Sequence, residues 1–182
     1  MIKIGINGFG RIGRLVLRAL LENYKDKIQV VAINDLGSIE ANAHLVKYDS
    51  THGTLPYDVE TYKDGFKILN QDIKVFAERD PVNLPWGKIG VDVVLECTGL
   101  FLDKNSAEKH IKAGAKKVII SAPAKEVDFT IVQGVNSSEL KKEHNVISNG
   151  SCTTNCLAPV AMVLEKNFGI EYGYMTTIHS YT

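Results

Sequence analysis

Six residues, Gly8-Phe9-Gly10-Arg11-Ile12-Gly13, lie between a run that reads as a buried strand and a run with helical spacing, and they confine this chain to few folds. Ile2 to Asn7 carries the apolar density of a strand covered on both faces. Arg11 to Glu22 has apolar Ile12, Leu15, Val16 and Ala19 at helical spacing, and Ile28 to Ile33 reads as a second buried strand. Strand, glycine loop, helix and strand make one βαβ unit. Each glycine has a mechanical use there: Gly8 permits a tight turn, Gly10 lets the backbone approach a pyrophosphate, and Gly13 lets helix and strand pack closely. The helix start offers unpaired N–H groups to the phosphates, in which Arg11 and Ile12 take part through their backbone. Twenty-two residues after Gly13 the second strand ends in Ala32-Ile33-Asn34-Asp35. An acid at this point can hold the adenosine ribose diol and repel a 2′-phosphate, so NAD is expected rather than NADP. The competing reading is an ordinary strand-to-helix turn, with Asp35 a loop aspartate capping the helix beyond Leu36.

The alternation continues. A helix is expected near Ile39 to Val46, short strands divided by turn signals from Tyr57 to Ala77, and a strand from Val91 to Leu95. A helix near Asn105 to Ala113 and strands at Lys117 to Ile120, Phe129 to Val132 and Val146 to Ser148 complete the pattern. The Tyr57 to Ala77 section reads as a small antiparallel insert. The rest reads as an α/β fold, a Rossmann-type, doubly wound, mainly parallel sheet.

Composition narrows the function. Twenty-one basic residues balance 21 acidic ones, and the basic doublets Lys116-Lys117 and Lys141-Lys142 are too few for a phosphate-backbone surface, so no nucleic-acid partner is expected. No apolar run reaches about 18 residues, so no membrane insertion is expected either. Strand pattern begins at Met1-Ile2 with no leader-like segment, and three cysteines form no even disulfide framework; both point to a reducing, cytoplasmic setting. No spacing suggests a metal site.

The second chemical signal is Ser148-Asn149-Gly150-Ser151-Cys152-Thr153-Thr154-Asn155-Cys156, which sets a thiol where a helix begins after small and polar residues. Unpaired N–H groups and the helix dipole favour a thiolate there. His179, at the end of the apolar, β-favouring stretch Ile170 to Ile178, is the candidate base. Cys97 reads as a small buried hydrophobe. Cys156, one turn below Cys152 and facing the same way, reads as a packed thiol or a partner in oxidation. His44, His52, His110 and His144 receive no role.

With these residues in view a resemblance emerges. INGFGRIGR (Ile6 to Arg14), AIND (Ala32 to Asp35), YDSTHG (Tyr48 to Gly53), ECTG (Glu96 to Gly99), SAPAK (Ser121 to Lys125), SNGSCTTNC (Ser148 to Cys156) and HSYT (His179 to Thr182) together resemble the phosphorylating glyceraldehyde 3-phosphate dehydrogenases. The resemblance covers essentially the whole chain in order. It implies an NAD-binding domain over residues 1–150 and, over 151–182, the beginning of an α+β catalytic domain whose remainder lies past Thr182. It implies Cys152 as nucleophile and His179 as base, with Arg79, Thr98 and Ser121 added to the NAD contacts. Ser151, Thr153 and Thr182 would contact a small substrate, glyceraldehyde 3-phosphate, and inorganic phosphate. Family members are homotetramers, and a homo-oligomer is therefore expected. Arg79 and Ser121 read equally well as a surface arginine and a turn cap. Two further functions stay open: a stand-alone NAD-binding module with a reactive thiol, and oxidation of erythrose 4-phosphate.

Overall fold

The computed structural model describes residues 1–179. From the N-terminus, β1 (Ile2–Asn7), α1 (Arg11–Asn23) and β2 (Ile28–Asn34) form the expected parallel unit, with Ile6 opposite Ile33 and Asn7 opposite Asn34. α2 (Ile39–Lys47) follows, then the two-residue strands β3 (Tyr48–Asp49) and β4 (Gly53–Thr54), which pair with each other. β5 (Val59–Tyr62), β6 (Gly65–Ile68) and β7 (Gln71–Phe76) are antiparallel neighbours. After the short α3 (Trp86–Ile89) the alternation resumes with β8 (Val93–Glu96), α4 (Lys104–Lys112), β9 (Lys117–Ile120), β10 (Phe129–Thr130), β11 (Val146–Ser148) and α5 (Cys152–Phe168).

Among the described residues one sheet has nine strands, in the order β10-β11-β9-β8-β1-β2-β7-β6-β5. Strand order reverses at β1: the chain first moves outward to β2, then returns to place β8 on the other side. In such sheets the crevice outside the carboxyl ends at the reversal is where ligands bind. The segment read as a small antiparallel insert is antiparallel within itself, but it forms the edge of the main sheet, because β7 runs parallel to β2, with Ala32 opposite Lys74. A period-two pattern fixes a strand but leaves open which edge it joins.

α1 is packed differently from its pattern. Gly13, Leu17 and Leu21 are the positions turned into the core, whereas Ile12 is half exposed and Ala19 exposed. The helix is apolar over more than one face, so spacing alone did not select the stripe; the close approach at Gly13 does. Leu17 and Leu21 pack with Ile6, Phe9, Ile33 and Phe66 in the main core. On the other face, Trp86 and Val94 are fully buried in a second cluster with Ala32, Val91 and Ala115.

Ile170 to Ile178 forms no strand: it is exposed and has no partner strand among the described residues. A lone extended segment leaves its backbone groups to water, and β propensity cannot hold it. α5 likewise has no buried residue among those described, although Leu157, Val160, Leu164 and Phe168 are apolar. No helix among the described residues is long and apolar enough to cross a membrane.

One carboxylate ties the last strands to α4. Asp128 accepts hydrogen bonds from Lys104 Nζ at 2.7 Å and from the backbone N–H groups of Asn145 and Val146 at 2.8 and 2.9 Å. Partial burial pushes its pKa up, but the Lys104 bond and the two N–H groups outweigh that and hold it down at about 2. A carboxylate depressed on folding stabilises the folded state above its ordinary value and loses that contribution as pH falls through the folded value. The stability difference between the unmutated chain and Asp128→Asn, measured by urea denaturation, should therefore be constant near neutrality and vanish as pH drops from 3.8 to about 2.

Candidate functional site

The glycine loop joins the carboxyl end of β1 to the start of α1. Gly8 has a φ of +87°, which a side chain would strain, and a Cβ there would meet the Thr98 nitrogen at 2.7 Å. A Cβ on Gly13 would collide with the Gly8 carbonyl oxygen, so this glycine is what lets α1 approach the strand. Gly10 differs from both: nothing lies within 4 Å of the position its Cβ would take. The sheet does not require this glycine for packing; the space beside it is available to a ligand.

Ser38, Asp103 and Ser151 cap α2, α4 and α5 through side-chain oxygens, but α1 has Gly10 as its N-cap and no side-chain cap. The first N–H groups of a helix have no partner inside it, so those of Arg11, Ile12 and Gly13 are left for an anion. The Arg11 side chain is turned elsewhere, onto Asp49 at 2.8 Å. The backbone N–H groups of His52 and Thr51, with Arg11, hold the Asp49 carboxyl far below the usual range despite some desolvation.

Asp35 closes the loop from the side of β2. Its Oδ2 accepts the Phe9 N–H at 2.9 Å and its Oδ1 the Gly37 N–H at 2.8 Å. Each oxygen keeps lone-pair capacity for a diol. The cleft is bordered by Gly8, Gly10, Asn34, Asp35, Arg79 and Thr98, with Leu36, Leu100 and Phe101 as apolar wall. Arg79 is at its exposed rim. Ser121 does not border it; this residue follows β9, its N–H bonded to the Glu96 carbonyl and its hydroxyl to the Cys97 thiol. Cys97 does border the cleft, and burial pushes its thiol up to about 11, so it stays an unreactive SH. The residues present fit a dinucleotide: an open glycine, an uncapped helix start and a carboxylate at the next strand end.

The thiol lies on a different element. Cys152 is the first residue of α5, exposed, with Ser151 as the N-cap whose Oγ accepts the Thr154 N–H at 2.9 Å. His179 is brought back to it: Nδ1 stands 4.0 Å from the Cys152 sulfur, and Nε2 is 3.1 Å from the Thr153 hydroxyl. Ser151 thus has a capping bond, and Thr153 orients the imidazole. Cys156 is exposed rather than packed. Thr182 lies outside the described residues. Among the described residues no three or more His, Cys, Asp or Glu side chains are grouped so as to hold a metal ion.

Sequence reading passed over Asn7, Asn34, Trp86 and His110, all of them buried. An asparagine closing each of two adjacent buried strands was the available signal, since an amide buried at a strand end needs partners. His110 was readable only in part, as a polar residue three positions after the buried Ala107 of the same helix.

The family model for the glyceraldehyde 3-phosphate dehydrogenase NAD binding domain matches residues 2–104, and the one for the C-terminal domain of the same enzyme matches residues 151–182. The chain belongs to the glyceraldehyde 3-phosphate dehydrogenase family. It is 56% identical over 182 residues to a glyceraldehyde-3-phosphate dehydrogenase of Pseudomonas aeruginosa, covering 100% of this chain and 54% of the relative. To the enzyme of Geobacillus stearothermophilus it is 58% identical over 182 residues, with the same coverage. To that of Xanthobacter flavus it is 55% identical over 181 residues, again covering 54% of the relative. The chain thus spans about half the length of the relatives it matches. The cofactor of the matched family domain is NAD.

The glycines separate packing from binding. Gly13→Ala should lower the stability of the folded chain by about 1–3 kcal/mol, as overpacking does. Gly10→Ala, which meets no neighbour and only weakens the N-cap, should cost less, about 0.5–1 kcal/mol. Urea denaturation of both variants checks this.

Proposed function

We propose that this chain carries the NAD site and the nucleophile of a cytoplasmic, homotetrameric, phosphorylating glyceraldehyde 3-phosphate dehydrogenase of glycolysis. The observation that carries this reading is the pairing of an exposed cysteine at a helix start with an imidazole nitrogen 4.0 Å from its sulfur, in a chain that also has an uncapped glycine loop. We assign residues 1–150 to the NAD-binding domain and 151–182 to the catalytic one. The N–H groups of Arg11, Ile12 and Gly13 would hold the pyrophosphate and Asp35 the adenosine ribose, with Gly8, Gly10, Arg79 and Thr98 shaping the cleft. Ser121, bonded to the Cys97 thiol and the Glu96 carbonyl, would support the Cys97 side of that cleft and is kept among the proposed NAD contacts. NAD, when bound, accepts a hydride.

The protein side of the chemistry follows from the thiol. Cys152 sulfur adds to the aldehyde carbon of glyceraldehyde 3-phosphate, giving a thiohemiacetal whose hydroxyl proton His179 takes as the hydride departs. The thioester left on Cys152 is attacked by inorganic phosphate, which displaces the sulfur and releases 1,3-bisphosphoglycerate. Covalent capture keeps the acyl group from water until phosphate arrives. The Cys152 N–H, first in α5, can bind the developing oxyanion. Ser151, Thr153 and Thr182 are the hydroxyls proposed to lie near substrate, and Thr153 would also steer His179.

A second reading has its own support: the sheet closes its core without α5, as a stand-alone NAD-binding module with an accessible thiol would require. Kinetics of the full-length protein separate the two. Cys152→Ser should cut phosphate-dependent oxidation by at least about a thousandfold, and His179→Asn by about 10²–10⁴-fold. Turnover that persists in Cys152→Ser, or that ignores inorganic phosphate, would overturn the phosphorylating mechanism. Asp35→Asn should weaken NAD binding by about tenfold or more in a calorimetric titration and narrow its advantage over NADP.

A further inference from the structure

At the carboxyl end of β8 lies a carboxylate that the chemistry above does not use. Glu96 is only 1% exposed, and four donors converge on it. Asn7 Nδ2 donates to Oε2 at 2.6 Å, and His110 Nε2 stands 2.9 Å from the same oxygen. The Thr98 N–H donates to Oε1 at 2.7 Å, and the Thr98 hydroxyl donates to Oε1 as well.

The direction of each bond is fixed by its neighbour. Trp86 Nε1–H can only donate, and it donates to His110 Nδ1 at 3.0 Å. Nδ1 is therefore a bare acceptor, the imidazole is the neutral Nε2–H tautomer, and Nε2–H points at Glu96. On the other side, the Glu78 N–H donates to Asn34 Oδ1 at 2.8 Å, Asn34 Nδ2 donates to Asn7 Oδ1 at 2.7 Å, and only the Asn7 amide hydrogens remain to face Glu96. Two relays, from α3 through α4 and from the segment after β7 through β2 and β1, end on one carboxylate whose lone pairs are all taken by neutral donors. A buried anion without a cation is stable only when bonded in this complete way.

Its outlet is Thr98. Both the N–H and the hydroxyl hydrogen of Thr98 are committed to Glu96, and its Oγ1 accepts the Leu100 N–H at 3.0 Å. Thr98 then offers the cleft a methyl group and a carbonyl but no donor. The Thr98 nitrogen and methyl group occupy the space that a Cβ on Gly8 would fill, so the turn is held directly against the glycine loop. We propose that Glu96 is a positioning residue for the dinucleotide: oriented by Asn7 and by the Trp86–His110 pair, it locks the 97–100 turn against the glycine loop and so sets the width of the cleft. This rests on reading that cleft as the NAD site.

Glu96→Gln in this 182-residue chain tests it. Whichever way the amide is placed, its NH₂ faces an obligate donor, either Asn7 Nδ2 and His110 Nε2–H or the Thr98 N–H, and in the second case the Thr98 hydroxyl must turn from donor to acceptor. NAD affinity by calorimetry should fall about tenfold to a hundredfold, and the Thr98 and Leu100 amides should lose hydrogen-exchange protection in ¹⁵N spectra while those of β10 and β11 keep theirs. A folded Glu96→Gln chain with unchanged NAD affinity would overturn the proposal; a purely structural carboxylate would lower the denaturation midpoint and leave the affinity of the folded protein alone. Should that variant not fold, Thr98→Val and Thr98→Ser decide. The valine chain should bind NAD about tenfold more weakly and the serine chain within about threefold of the unmutated one, and equal affinities for both would refute the lock. Failure of the unmutated chain to bind NAD would count against the dinucleotide reading itself, and retained Thr98 protection in Glu96→Gln would then refute the lock separately.

Discussion

One buried carboxylate joins the central strand ends of the sheet. Glu96 on β8 receives Asn7 from β1, Asn7 receives Asn34 from β2, and Asn34 grips both the N–H and the carbonyl of Glu78 just past β7. These strands are neighbours in the backbone ladder, but ladder bonds tie them along their lengths, not at the points where the chain leaves for its loops. Side-chain amides do that here. The loops that border the cleft start from fixed posts, and the glycine turn is held from both sides, by Asp35 against Phe9 and by Thr98 against Gly8.

Much of this architecture was readable because its elements are local. The βαβ start, the helix at Ile39, the strands at Lys117 and Val146 and the helix opening at Cys152 depend on patterns within a dozen residues, and they stand where those patterns put them. What escaped was set by distance or by a choice among equivalent faces. α1 carries apolar residues on more than one side, and only its approach through Gly13 selects Leu17 and Leu21 for the core. The antiparallel hairpins were seen, but not that β7 would add to β2. Ile170 to Ile178 has the composition of a strand without a partner among the described residues to make it one.

The site divides along the same line. Gly8, Gly10, Gly13 and Asp35 are legible because their spacing follows the strand, turn, helix and strand that the fold places there. Cys152 was picked out by the small polar residues before it, and His179 only in combination with Cys152 and the family resemblance; the structure sets its Nδ1 4.0 Å from the Cys152 sulfur. His110 was dismissed, since nothing near it in sequence reveals Trp86 and Glu96 on either side of its ring. Asn7 and Glu96 are 89 residues apart, and only the return of the chain to β8 makes them partners.

α5 contributes no buried residue among those described, whereas the strands it follows are packed into the sheet. Cooperative unfolding follows shared buried contacts, and those among the described residues lie in the sheet and the helices that cover it, not in α5. A calorimetric or fluorescence transition of this chain, whose single tryptophan is Trp86, therefore reports on the sheet. It carries no information on whether Cys152 and His179 still face each other. Fitness of the fold and readiness of the thiol are separate variables in this molecule, and a probe of one is blind to the other.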